Sequence, residues 1–95
     1  MAQIELARAA VADLDRLVLT HSLPGDTRQR VRTALEPLRQ FPPLGPELVG
    51  RWEGFRFILG PWRWMLLVYT FDEARARVVI VTIQDARTSR SATGG

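Results

Sequence analysis

The chain contains no cysteine, which excludes disulfide bonds and thiolate metal sites among its own residues. Lysine is missing as well: the thirteen basic residues are all arginine, set against ten acidic ones for a formal net charge of +3. Any cationic surface is therefore made of guanidinium groups, planar forks that grip carboxylates and phosphates with paired hydrogen bonds and stay protonated. Long apolar runs are absent too. Met65–Tyr69 is a short stretch, where a membrane helix needs about 20 apolar residues. No charged segment followed by an apolar one opens the chain, so no secretory signal is expected, and the reading is of a cytoplasmic protein with no membrane partner.

What is present is an ordinary core in a small space. A hydrophobic content of 46% suits a globular chain, and 95 residues allow one domain, expected over residues 1–87 with a flexible tail over 88–95. A sequence pI near 11 makes an acidic partner or nucleic acid plausible without identifying either.

Gln3–Leu6 alternates polar and apolar residues as a strand does. From Ala7 the apolar positions become Ala10, Val11, Leu14, Leu17 and Val18, the spacing of an amphipathic helix. Pro24 and Gly25 break it. A second helix starts near Asp26, which with Gln29 forms a capping-box pattern, and carries the stripe Val31, Ala34, Leu35, Leu38. Pro37 has no amide hydrogen and should kink or end it. The segment 40–50 holds three prolines and two glycines and reads as an extended connector. Thereafter the period changes to two: "WEGFRFIL", "WRWMLLVYTF" and "RVVIVTI" are rich in aromatic and β-branched residues, with a tight turn at Gly60-Pro61 and a polar turn at "DEARA". Short connections make these strands an antiparallel meander. The fold class is α+β, in the order β-α-α-β-β-β, with a helical hairpin packed on one face of a small, mainly antiparallel sheet.

That order, with Leu48 and Gly50, Phe55-Arg56-Phe57, Gly60, Trp62-Arg63, Tyr69, Asp72 and the valine-rich Val78–Ile83, resembles the RelE/ParE superfamily of bacterial toxins over nearly the whole chain. The resemblance implies the toxin half of a type II toxin–antitoxin module, with a cognate antitoxin as partner in a hetero-oligomer and with neither cofactor nor metal. RelE-like members cleave mRNA on the ribosome. ParE-like members inhibit DNA gyrase. By resemblance to the former, Arg56, Arg63 and Arg87 fall where catalytic and RNA-binding arginines stand, so ribosome-dependent endoribonuclease activity is the first expectation. A gyrase inhibitor, or an inactive antitoxin-binding scaffold, stays open beside it.

The residues themselves leave those alternatives standing. Cleavage needs a cationic cradle for phosphate, a base for the ribose 2′-hydroxyl and an acid for the leaving oxygen. Ile58 occupies a position where ribonuclease members often carry a second basic residue, Gln84 and Asp85 precede Arg87, and neither tyrosine nor glutamate follows it. Arginine is a poor proton acceptor. The titratable candidates are His21, Tyr69 and Asp85, with His21 expected to lie remote in the turn after the first helix and Tyr69 in the core. Alternation puts Phe55, Phe57 and Leu59 under the helices and Arg56 on the open face. By the same rule Trp62 and Trp64 share one face, as packing residues, with Arg63 on the other. Each arginine also has an ordinary reading as a solvated or ion-paired side chain, with Asp85 a natural partner.

Overall fold

The computed structural model describes residues 1–88 and 91–93. Strand β1 (Gln3–Leu6) leads into helix α1 (Arg8–Thr20), then α2 (Thr27–Leu35) and a single further turn, α3 (Pro37–Gln40). After the connector come β2 (Arg56–Leu59), β3 (Met65–Asp72) and β4 (Arg77–Asp85). The sheet order is β1-β4-β3-β2; β1 runs parallel to β4 and the other pairs are antiparallel. The expected order of elements and the mixed sheet are thus both present. Pro37 acts as expected, closing α2 at Leu35 and opening α3 as its first residue, where a missing amide hydrogen costs nothing.

The helices form because each offers the sheet one apolar stripe: Ala10, Leu14 and Leu17 from α1, Val31 and Leu35 from α2, and Leu38 from α3. Against them the sheet presents Met65, Leu67, Tyr69, Val78, Ile80 and Ile83, all buried. The start of α2 differs from its capping-box reading. The Asp26 side chain makes no cap; its carboxylate accepts from Arg30 Nε at 3.0 Å. Thr27 ties down the entry instead, its hydroxyl donating to the Pro24 carbonyl at 2.6 Å.

The second face of the sheet is not open. Leu66 and Val68 of β3 are buried there with Phe57 of β2, beneath Leu48, Trp52 and Phe55, so the segment that follows the prolines folds back as a lid. This corrects the faces assigned to β2. Arg56 pairs with Tyr69, Phe57 with Val68 and Ile58 with Leu67. Cross-strand neighbours share a face, so Phe57 joins the connector side, while Arg56 and Ile58 look towards the helices. Alternation defined two faces correctly; only the register could say which was which.

The strand ladder is irregular in two places. Between Val68 and Tyr69 the β3–β4 register shifts, leaving Val81 without a partner. Asp13 of α1 closes the gap, accepting from the Thr82 hydroxyl at 2.6 Å and the Ile83 amide at 3.2 Å. The other is the β2–β3 connection: Gly60 N–H donates to Met65 O and Met65 N–H to Trp62 O, so residues 61–64 form the turn and β3 begins at Met65. Trp62, Arg63 and Trp64 therefore lie in a turn, outside the strand expected to hold them. Of the tail, Thr88, Ser91 and Ala92 hydrogen-bond back to the body, and Ser91 is buried. Ser89, Arg90, Gly94 and Gly95 lie outside the described residues.

Candidate functional site

Where β4 ends and β3 begins, the Ala86 amide donates to the Trp64 carbonyl at 2.6 Å. Arg63 and Arg87 consequently leave the sheet at the same end. The turn throws both tryptophans to the helical side, with ring centroids 6.1 Å apart at 21°. The Trp64 indole also stacks on the His21 imidazole at 4.7 Å and 15°. Guanidinium groups complete the arrangement: Arg87 Cζ sits 4.9 Å from the Trp64 ring centre and Arg30 Cζ 5.8 Å from that of Trp62, cation–π distances in each case.

Asp85 is the charged hub. Its side chain is only 13% exposed and accepts from Arg87 Nε and Nη2 at 2.9 and 2.8 Å, from the Arg87 amide at 2.9 Å, and from His21 Nε2 at 3.0 Å. The Arg87 hydrogen bond, against opposing desolvation and with help from the Arg87 amide and His21, holds the carboxyl well below the usual carboxylate range. The same pairing raises Arg87 above the ordinary guanidinium value. An ionised carboxylate can only accept, so a neutral His21 keeps its proton on Nε2 and turns the lone pair of Nδ1 towards Thr20 Oγ1, 2.8 Å away.

Arg63 is exposed and, among the described residues, has neither an ion-pair nor a hydrogen-bond partner. Arg56 stands apart from both. It pairs with Tyr69, four residues into β3 from Met65, about 13 Å along the strand. Its guanidinium donates to the carbonyls of Pro43 and Gly45 at 3.2 and 2.7 Å and to Glu47 at 3.0 Å. Beside it the buried Tyr69 hydroxyl donates to Pro42 O at 2.6 Å and accepts from Gly45 N at 2.9 Å. Burial raises this phenol's pKa despite the Gly45 hydrogen bond and the nearby Arg56 charge. Among the described residues no three His, Cys, Asp or Glu side chains gather as a metal would require.

No family model matches the sequence, and no curated protein matches it either. Solved structures do match the fold. The chromosomal ParDE TA system from P. aeruginosa superposes with a TM-score of 0.69 at 19% identity, over 92% of this chain and 98% of that one. The intact E. coli RelBE toxin–antitoxin complex gives 0.67 at 12% identity, over 93% of this chain and 100% of the other. RelBE2 from Mycobacterium tuberculosis gives 0.60 at 21%, over 88% and 96%. The chain has the RelE/ParE toxin fold.

On this RelE/ParE scaffold, Arg63 and Arg87 come together with an aromatic wall, whereas Arg56 is engaged by the connector. His21, expected to be remote, is the member that sequence reasoning missed: it lies 64 residues from Asp85 and hydrogen-bonds to it. No local pattern announces that contact, although α1 crosses β4 so that Asp13 meets Ile83 and the helix end meets Asp85. The two tryptophans, read as packing residues on one strand face, are half-buried members of the site wall. Chemically the cluster offers flat apolar surfaces for a base, guanidinium groups for a phosphate, and an imidazole held by a carboxylate.

Proposed function

We propose that this protein is the toxin of a type II toxin–antitoxin module and acts as a ribosome-dependent endoribonuclease on mRNA. One observation carries this reading: the exposed guanidinium of Arg63 and the Trp62–Trp64 stack share the sheet end with Arg87 and with a histidine–carboxylate pair. Arg63 and Arg87 hold the backbone phosphate, and the indoles support a base beside it. Arg56 braces the connector against the sheet.

The partner in this reading is an antitoxin. A groove of about 610 Å³ lies between β1 and α2, floored by Leu6, Leu14 and Val31 and rimmed by Arg28, Arg32 and Arg39 together with Glu5 and Glu36. An apolar floor under a rim of mixed charge suits an amphipathic segment. The structural neighbours from E. coli and M. tuberculosis are toxin–antitoxin complexes, which supports such pairing.

The test is expression of the full chain with and without its neighbouring gene, alongside cell-free translation of a defined mRNA. The reading expects growth arrest relieved by the neighbour, and cuts in the mRNA that need ribosomes. Uncut mRNA with continuing translation overturns it, and loss of supercoiling in a purified gyrase assay would transfer the protein to the gyrase-inhibiting class.

A further inference from the structure

Arginines and indoles hold RNA, but cleavage also requires a group that takes the 2′-hydroxyl proton. We infer that His21 is that general base and that Asp85 is its positioning residue; this rests on the reading of the protein as a ribonuclease.

The geometry has three elements. Asp85 fixes the tautomer, because its carboxylate occupies Nε2 and leaves the Nδ1 lone pair as the acceptor. Trp64, stacked 4.7 Å away, holds the ring plane. Thr20 Oγ1, the present partner of Nδ1, belongs to an exposed residue, so a ribose hydroxyl can take its place without opening the core. The charged groups facing the imidazole are Asp85 of β4 and Arg87 just after it; Arg30 of α2 pairs with Asp26 and lies over the Trp62 ring.

The arrangement also supplies the neighbours that the reaction needs. Arg87 is bound to the same carboxylate that holds His21, so a phosphate gripped by Arg87 lies close to the imidazole. In the step, the 2′-oxygen attacks the adjacent phosphorus and its proton passes to His21 Nδ1. The P–O2′ bond forms as the P–O5′ bond breaks, leaving a 2′,3′-cyclic phosphate. The departing 5′-oxygen takes a proton from water, and the hydroxide so formed is neutralised by the proton held on the imidazolium.

The decisive experiment measures single-turnover cleavage of a defined reporter mRNA on purified ribosomes, between about pH 5.5 and 8.5, for the wild-type chain and for His21→Gln. Glutamine can still donate to Asp85 but cannot accept a proton at neutral pH. The cleavage rate of H21Q falls about 100-fold or more, with ribosome binding by sedimentation unchanged, since a general base contributes about 10²–10⁴-fold. The wild-type rate rises with pH between about pH 5.5 and 8.5, and that rise is missing from H21Q. Cleavage by H21Q within about threefold of wild type overturns the assignment and leaves His21 as a clamp on the helix end. If H21Q does not fold, the wild-type profile decides, because a rate independent of pH across that range also overturns it. A wild-type chain that cuts no mRNA under any of these conditions removes the ribonuclease reading itself, and this inference with it.

Discussion

Arg56→Ala separates a structural arginine from a phosphate-binding one. The wild-type guanidinium, 29% exposed, makes a 2.7 Å bond to the part-buried Gly45 carbonyl, a longer one to Pro43 O and an ion pair with the exposed Glu47. A charge-assisted bond to a half-buried carbonyl is worth about 1.5 kcal/mol, and the Pro43 carbonyl, already near water, adds less. The Glu47 pair is exposed on one side and contributes only about 0.3 kcal/mol. Truncation should therefore cost about 2 kcal/mol, which in a domain of this size lowers Tm by about 10 °C. Circular-dichroism melts and urea titrations of the two proteins measure the loss, and, on the proposed ribonuclease reading, mRNA cleavage at a temperature where both are folded measures the consequence. The expectation is a clear loss of stability with cleavage per folded molecule retained. A variant that melts like wild type yet no longer cuts mRNA would refute the clamp and return Arg56 to the phosphate site.

Three further outcomes are expected. Gly45→Ala places a Cβ 2.1 Å from the Phe57 carbonyl oxygen and 3.0 Å from the Tyr69 hydroxyl, so the connector must lift from the sheet, at a cost of about 3 kcal/mol in urea unfolding. Asp13→Ala orphans the Ile83 amide at the register shift and frees the Thr82 hydroxyl; a loss of about 2 kcal/mol is expected in the same assay, and a neutral result would mean that water replaces the carboxylate. Asp85 gives a pH signature. Its carboxyl titrates lower in the folded chain than in the unfolded one, so near pH 4 the unfolded chain binds the proton first. The stability due to ionised Asp85 is thus full above about pH 4 and is lost as pH falls through the folded value. Asp85→Asn should be less stable than wild type at neutral pH, with a gap that narrows in acid; a constant gap from pH 7 to pH 2 would contradict the pairing with Arg87 and His21.

Much of the architecture is legible from local pattern. The change from a 3.6-residue to a two-residue period marks where helices give way to the meander, and Pro37 marks the end of α2 through its missing amide hydrogen. The core position of Tyr69 is also readable. Arg63 and Arg87 stand out through a family resemblance, and the structure brings them to one end of the sheet. Arg56 stands out the same way, and the structure surrounds it with connector carbonyls.

The sequence by itself determined the kinds of elements, their order and two alternating faces for each strand, because backbone preferences and hydrophobic period are properties of neighbouring residues. Tertiary structure decided which face met the helices, since Arg56 looks the way it does only because it registers with Tyr69. It decided, too, that Leu48, Trp52 and Phe55 would cover the far face, and that Trp62–Trp64 would sit in a turn rather than a strand. Above all it brought His21 to Asp85. Such pairings arise from register and from burial between distant segments, and a one-residue slip would exchange every partner while leaving the local pattern unchanged.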